Sequence, residues 1–483
     1  MRVLENLEPK RVFYYFEELC NIPHGSGNVE AISNYLKGFA QGKGLEVIQD
    51  EVKNIIIIKE ASEGYEQEPP VIIQGHMDMV AVSKPELNID MKKEPLKLKV
   101  EGDRISAEGT SLGGDDGIAV AYALAILEDD TIKHPRLEVI ITVDEETGMD
   151  GARVIDLSML KGNRLLNLDS EEEGIFLTGC AGGARVDCRL KPVFTPMQGL
   201  CYDLKLGGLA GGHSGVEIHK ERGNSNKLAG RLLWHLYMEE INIGLVCAQG
   251  GLADNAIPRE TTMTVLVPEM QKEPFEKAVR AFEAVVKAEL VTKDSSFAVS
   301  MECGTVAEKS AICENDYAVV AAFINALPNG VQAMSAEVQG KVETSLNLGI
   351  LKIDEEKVQA SFSVRSSIEG SKQALIEKLM SIVVLAGGEA EVQGDYPGWS
   401  YRVDSPLRDK MVALYKEMYG TEPQIEVIHA GLECGLLASK INDLDCVSIG
   451  PNMSDIHTTE ENLSIASTER VWQYLLRLLE TKG

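Results

Sequence analysis

The chain has 483 residues, of which 47 are Lys or Arg and 75 are Asp or Glu, giving a formal net charge of −28. A chain of this length exceeds what one hydrophobic core supports, so two or three domains are expected. Such an acidic surface repels phosphate backbones and anionic lipids, which argues against nucleic-acid and membrane partners. Apolar runs long enough to span a bilayer are absent from the sequence, and the amino-terminal segment lacks the apolar core of a signal peptide.

The nine cysteines are scattered along the chain and form no Cys-x-x-Cys pair. Their odd number and irregular spacing favour reduced thiols over a disulfide framework or a thiolate metal site. We therefore expect a cytoplasmic protein.

Runs of β-branched and aliphatic residues alternate with helical patterns in the first part of the chain. Strands are predicted at residues 54–59, 71–74, 137–143 and 165–168, and helices at 9–22 and 117–129. Continuous apolar strands are typical of a sheet buried on both faces, and their alternation with helices favours an α/β fold. The sequence thus predicts a mostly parallel central sheet flanked by helices.

The pattern changes near residue 186, where half-apolar strands are separated by amphipathic helices. The strands are predicted at 185–190, 202–208 and 261–267, and the helices at 228–239 and 272–290. This pattern indicates an α+β module with one solvated sheet face. Buried α/β patterning returns near residue 385, with a helix at 406–419 and a strand at 445–450. We predict a discontinuous catalytic domain of residues 1–185 and 386–483, with a lid or dimerisation domain of residues 186–385 inserted into it.

Side chains that bind metals follow the predicted buried strands. They are His76 and Asp78 after the second strand, Glu145 and Glu146 after the third, Asp169 after the fourth, and His457 after the last. Open α/β sheets place their sites beyond the carboxyl ends of strands. Imidazole and carboxylate without thiolate favour zinc, with cobalt or manganese as related ions.

Two further acidic motifs also indicate bound metal ions. Asp115 stands at the start of the helix predicted from 117, where the helix dipole favours an anion, and its carboxylate could bridge two cations. Glu145 and Glu146 are adjacent acids at a strand end and repel each other unless cations compensate. One of the two can bind metal while the other acts as a general base.

Together these segments resemble the M20 metallopeptidase family, within it the dipeptidase branch that includes the aminoacyl-histidine dipeptidases. The resemblance implies a zinc-peptidase-like catalytic domain with an inserted α+β lid. The matching motifs lie in the family's order at residues 75–80, 113–119, 144–149, 167–174, 212–215, 254–260, 363–367 and 457–465.

The resemblance implies a ligand set for two divalent ions, Zn²⁺ first, with Co²⁺ or Mn²⁺ as substitutes. His76 and Asp169 would bind one ion. Glu146 and His457 would bind the other, and Asp115 would bridge both.

The resemblance also implies roles for the groups around the ligands. Glu145 would be the general base that activates a water bridging the metals. Asp78 would hold the His76 ring in its metal-binding tautomer. A cis peptide bond would follow the bridging aspartate, between Asp115 and Asp116.

Three residues of the inserted domain match positions that contact substrate in the family. His213 would help stabilise the oxyanion, while Asn255 and Arg365 would bind the substrate's backbone and terminal carboxylate. A guanidinium suits a carboxylate because its planar fork donates two parallel hydrogen bonds. The implied activity is hydrolysis of dipeptides such as Xaa-His, and the implied assembly is a homodimer through the lid.

Other functions compete with this interpretation. An M20-type aminoacylase or deacetylase acting on N-acyl amino acids would use the same motifs. Residues 109–113 match the Gly-x-Ser-x-Gly pattern of serine hydrolases, but further residues separate Ser111 from the predicted helix. A metal-binding protein without catalysis would be expected to lack the base, and Glu145 is present.

Overall fold

A computed structural model describes residues 2–482 and divides the chain into two compact units. The first unit comprises the residues up to Gly179, Tyr401–Val427 and the residues from Leu432 onwards. The second unit comprises Cys180–Ser400 and Ile428–Gly431. The chain therefore leaves the first unit and later returns to it.

The amino-terminal part of the chain supplies most of the strands of the first unit. Its elements are α1 (Lys10–Cys20), α2 (Glu30–Gly42), β1 (Glu46–Gln49), β2 (Ile55–Lys59), β3 (Val71–His76), β4 (Leu98–Glu101), β5 (Arg104–Ala107), α3 (Gly114–Glu128), β6 (Leu137–Thr142), α4 (Asp150–Val154), β7 (Arg164–Asn167) and β8 (Ile175–Cys180).

The middle of the chain forms the second unit. Its elements are β9 (Gly182–Leu190), β10 (Phe194–Gly207), β11 (Gly212–His213), α5 (Ser225–Met238), β12 (Gly244–Gly250), β13 (Ala256–Ile257), β14 (Thr261–Val267), α6 (Lys272–Glu289), β15 (Ala298–Ile312), α7 (Glu314–Ala326), β16 (Gly330–Met334), β17 (Val342–Ile353), β18 (Val358–Ser366), α8 (Glu369–Leu385) and β19 (Glu389–Tyr396).

The carboxyl-terminal part completes the first unit. Its elements are α9 (Pro406–Tyr419), β20 (Gln424–Ile428), α10 (Glu433–Lys440), β21 (Asp445–Ser448), β22 (Met453–Ser454), β23 (Asn462–Ser464) and α11 (Ile465–Glu480). Short 3-10 helices lie at Pro85–Leu87, Ile218–Lys220 and Glu269–Gln271.

The main sheet of the first unit has eight strands in the order β1-β2-β6-β3-β7-β21-β8-β20. Strands β6, β3, β7 and β21 pair in parallel, whereas β1, β2 and β8 join the sheet through antiparallel pairs. The predicted parallel arrangement therefore describes the centre of a mixed sheet. Parallel pairing brings the carboxyl ends of β3, β6 and β7 to one edge, where open α/β sheets place their sites.

Helix α3 packs inside the first unit with every residue from Gly114 to Leu127 buried. Its small and aliphatic side chains suit this position because no face needs to meet water. The Lys59 ammonium donates to the carbonyls of Leu127 and Asp129, both at 3.0 Å, at the carboxyl end of the helix. A cation at the carboxyl end of a helix is stabilising. Lys59 of β2 therefore fixes the carboxyl end of α3, and Asp115 lies at the amino end of the same helix.

The second unit contains a nine-stranded sheet in the order β15-β10-β14-β12-β17-β18-β9-β19, with β16 paired to β17. Its strands pair in the antiparallel sense, and helices α5 to α8 contribute to its hydrophobic core. This is the predicted α+β architecture. The sequence placed residues 180–185, 386–400 and 428–431 in the catalytic domain, but these segments belong to the second unit, where β19 pairs with β9.

Within residues 2–482, none of the helices combines the length and the apolar character needed to cross a bilayer.

Candidate metal centre and substrate-binding residues

The strand ends of the first unit place the predicted ligands. His76 is the last residue of β3, and Asp169 lies two residues beyond β7. After β6, Asp144 adopts a left-handed backbone with φ +54°, and its carboxylate accepts the N–H of Gly27 at 2.6 Å. This turn redirects the chain after β6, immediately before Glu145.

The Asp115 carboxylate lies between two imidazoles. Its Oδ1 is 3.1 Å from Nε2 of His76, and its Oδ2 is 3.2 Å from Nε2 of His457. One carboxylate thus presents a separate oxygen to each histidine, which is the arrangement expected of a ligand shared by two cations.

The other predicted ligands join these two histidines. Asp169 Oδ1 lies 3.6 Å from Nε2 of His76, and Glu146 Oε1 lies 2.9 Å from Nε2 of His457. Asp115, Glu146 and His457 offer ligand atoms within 4.8 Å of one another. The structure therefore brings together all five residues that the sequence predicted as ligands.

The His76 ring is oriented by Asp78. Its Nδ1 lies 2.9 Å from the Asp78 carbonyl oxygen, which can only accept, so Nδ1 carries a proton. In the neutral ring the lone pair is then on Nε2, which faces Asp115. The Asp78 carboxylate also accepts the Ser26 hydroxyl at 2.8 Å and the Glu145 N–H at 3.1 Å. Ser26, which sequence reasoning missed, therefore supports the residue that orients a ligand.

Buried acids dominate the electrostatics of this cluster. Burial raises the pKa of Asp169 to about 6, against the opposing effect of His76. Burial also raises the pKa of Glu145 well above its usual value, and Asp169 adds to this. For Asp115, burial is outweighed by hydrogen bonds with His457 and His76, which hold its pKa below the usual value. Carboxylates and imidazoles grouped in this way are a donor set that divalent ions such as zinc prefer.

Asp116 is a further member that the sequence left ambiguous. Its Oδ2 accepts the backbone N–H of His76 at 3.1 Å, and its side chain is completely buried. Burial raises the pKa of Asp116 well above its usual value. The peptide bond between Asp115 and Asp116 is cis, as the family resemblance implied.

A buried polar layer, which the sequence did not predict, lies next to the strand ends that carry the predicted ligands. Glu433 Oε2 accepts the Gln74 amide at 2.5 Å and the Thr142 hydroxyl at 2.6 Å, and Gln74 Oε1 accepts the Asn167 amide at 2.6 Å. Gln74 and Asn167 each stand two positions before a ligand, on the same face of their strands. Polar residues inside otherwise apolar strands were the signal that could have revealed this layer.

In the second unit, the backbone fixes the proton on His213. Its Nδ1 accepts the N–H groups of Gly215 at 3.1 Å and Val216 at 3.2 Å. A nitrogen that accepts cannot carry the proton, so Nε2 is the N–H donor of this ring. Burial lowers the pKa of His213, and the Arg365 guanidinium lowers it further, which favours the neutral ring.

Asn255 and Arg365 line one cavity of about 340 Å³ in the second unit, together with Arg185 and Tyr396. Arg365 is 9% exposed and donates to the Tyr396 hydroxyl at 3.3 Å, while its Nε has no hydrogen-bond partner among the described residues. Asn255 is exposed. A buried guanidinium with spare donors is suited to binding a carboxylate.

The serine-hydrolase alternative fails on geometry. Ser111 is completely buried, donates its hydroxyl to the Val80 carbonyl at 2.6 Å and accepts the Val82 N–H at 3.2 Å. Its hydroxyl holds two backbone segments together and does not point to a cleft as a nucleophile would.

The fold and the acid–histidine cluster define a metallopeptidase. The chain belongs to peptidase family M20/M25/M40, whose model matches residues 72–481.

Individual relatives cover the chain almost completely. The cytosol non-specific dipeptidase of Escherichia coli (strain K12) is 37% identical over 99% of both chains. The crystal structure of an aminoacylhistidine dipeptidase from Vibrio alginolyticus has a TM-score of 0.95 at 36% identity, covering 99% of this chain and 98% of that one. Aminopeptidase PepT from Bacillus cereus, at 15% identity and a TM-score of 0.56 with 98% of both chains covered, shares the fold.

The tautomer of His213 is directly measurable. Since Nδ1 accepts two backbone N–H groups and the pKa is lowered, the ring should stay neutral with its proton on Nε2 at pH ~6.5, where an ordinary histidine is half protonated. Nitrogen-15 NMR of histidine-labelled protein reports the tautomer and the protonation state of the ring, and the His213→Gln variant identifies the His213 signal. A proton on Nδ1, or half protonation near pH 6.5, would contradict this assignment.

Proposed function

We propose that this protein is a metal-dependent dipeptidase that acts through a centre of two divalent ions, most favourably Zn²⁺, with Co²⁺ or Mn²⁺ as substitutes. The observation that carries the proposal is the Asp115 carboxylate, which presents one oxygen to His76 and the other to His457. The names of the Escherichia coli and Vibrio alginolyticus relatives support dipeptides as substrates.

The ligands divide into two groups around Asp115. His76 and Asp169, whose side chains lie 3.6 Å apart, would hold one ion, and Glu146 and His457, 2.9 Å apart, would hold the other. Bound divalent ions supply Lewis acidity, which polarises a carbonyl and makes water more acidic.

Glu145 is the general base of the proposed reaction. It accepts a proton from the attacking water and returns it to the leaving amine. Its backbone N–H donates to Asp78, which fixes the start of the Glu145–Glu146 pair relative to the His76 ring. Glu145 also lies with His76 and Glu146 in a group whose ligand atoms are within 4.8 Å of one another.

Residues of the second unit bind the substrate in this proposal. The Nε2–H of His213 donates to the carbonyl oxygen as negative charge develops on it, an interaction whose loss commonly costs ~10²–10³ in rate. Arg365 pairs with the terminal carboxylate, and Asn255 binds the peptide backbone.

The base assignment predicts the effect of Glu145→Gln. The variant should keep both ions, because the five ligands are intact, and lose about 10²–10⁴ in kcat for dipeptide hydrolysis because the amide cannot accept the proton. Steady-state kinetics and metal analysis of the purified protein measure the two quantities. Glu356→Gln, at an exposed acid in the turn between β17 and β18 of the second unit, controls for the chemical change. Turnover close to that of the control would remove Glu145 from the base role.

Substrate choice separates this proposal from an aminoacylase acting on N-acyl amino acids. The Escherichia coli and Vibrio alginolyticus relatives are both named as dipeptidases, which favours substrates that carry a free amino group. We expect kcat/KM for dipeptides such as β-alanyl-histidine to exceed that for N-acetyl amino acids by at least about tenfold, or ~1.4 kcal/mol of transition-state stabilisation. A chelator should abolish the activity, whereas a serine-directed phosphonate should not. Preference for N-acetyl amino acids would establish the aminoacylase instead.

We also propose a homodimer through the second unit. Strand β15 lies at one edge of the nine-stranded sheet, and no strand of residues 2–482 pairs with its outer side. A long edge strand is a surface on which a second sheet can pair. Light scattering at several concentrations should give twice the mass of one chain, and a single-chain mass throughout would rule this assembly out.

The cytoplasm is the proposed location. The cysteines are scattered along the sequence and form no Cys-x-x-Cys pair, a pattern typical of thiols that stay reduced. The Escherichia coli relative is named as a cytosolic enzyme.

A further inference from the structure

We propose that Glu461 is a positioning residue that holds the bridging carboxylate of Asp115, an inference that rests on the proposed di-metal function. Each oxygen of the Glu461 carboxylate accepts backbone N–H groups from the turn that begins α3. Oε2 accepts those of Leu112 at 2.8 Å and Gly113 at 3.2 Å. Oε1 accepts those of Gly114 at 2.8 Å and Asp115 at 3.4 Å.

The turn is shaped to surround an anion. Gly113 adopts a left-handed backbone with φ +69°, and consecutive N–H groups in such a turn point to one concave side. Glu461 is 3% exposed, so water does not compete for these donors. A carboxylate fills the turn because both of its oxygens only accept hydrogen bonds.

Glu461 also connects the two segments that supply ligands around Asp115. It lies four residues after His457, in the loop that β22 and β23 close through the pair Ser454 and Asn462. One side chain therefore links the turn that carries Asp115 to the loop that carries His457. The 3.2 Å approach between Asp115 Oδ2 and His457 Nε2 depends on both segments staying in place.

An ordinary helix cap would act differently. A cap stabilises the folded chain, and its loss lowers the free energy of unfolding without a specific effect on a distant ligand. Here the N–H of the bridging residue itself is among the four donors. Loss of the carboxylate should therefore move Asp115 and weaken binding of both ions, since both share it.

The test is metal affinity in metal-free protein, measured by competition with a chromophoric chelator for zinc. Glu461→Gln keeps the shape of the side chain but places an NH₂ group against two of the four N–H donors. The affinities for both zinc ions should therefore fall about 10–100-fold, the usual loss when a group that orients a metal ligand is removed. Glu460→Gln is the matched control, because this neighbouring acid is 68% exposed and pairs with Lys84 at 2.7 Å instead. Equal zinc affinities in the two variants would overturn the proposal.

A second variant covers the case in which Glu461→Gln fails to fold without metal. Glu461→Asp keeps the charge and shortens the side chain by one methylene, so it should weaken zinc binding by a smaller factor. Wild-type affinity in Glu461→Asp would then overturn the proposal. If the wild-type protein does not bind two ions, the proposed function itself is wrong. If the wild type binds two ions and hydrolyses dipeptides, the variants test only the role of Glu461.

Discussion

The carboxylate of Asp115 lies 3.1 Å from one imidazole and 3.2 Å from another, and it is buried with 8% exposure. Burying a charge costs several kcal/mol unless partners compensate. Here the compensation comes from His76 and His457, each of which approaches one of the two oxygens. The neighbouring Asp169 and Glu146 add negative charge to the same region, which bound divalent ions would compensate.

The main sheet makes this concentration of charge possible. Parallel β3, β6 and β7 end at one edge, so ligands far apart in sequence meet without long loops. Beneath them, Gln74 and Glu433 form part of a hydrogen-bonded layer inside an otherwise apolar sheet. These buried hydrogen bonds connect neighbouring strands just before the ends that carry the predicted ligands.

The second unit contributes groups of a different character. His213 has its proton fixed by two backbone N–H groups, and Arg365 keeps unused donors in a buried position. The tautomer of His213 and the burial of Arg365 both arise from contacts within the protein and do not require a metal. The first unit thus groups buried acids and histidines, whereas the second unit presents hydrogen-bond donors.

The sequence alone predicted the candidate ligands and much of the secondary structure around them. Histidine or acid residues after apolar strands indicated His76, Asp169 and His457, because such residues are rarely buried in a core and are informative when they come soon after a buried strand. The helix predicted at 406–419 matches Pro406–Tyr419 in the structure, since its Ser405 cap and its proline are local signals.

Only the tertiary structure decided how these groups interact. Glu461 and Glu433 look like surface acids in the sequence, and their partners are backbone or side-chain groups hundreds of residues away. The tautomer of His213 likewise depends on how a turn folds back on its own ring. Such contacts depend on where the folded chain places donors and acceptors, which residue types and spacing do not encode by themselves.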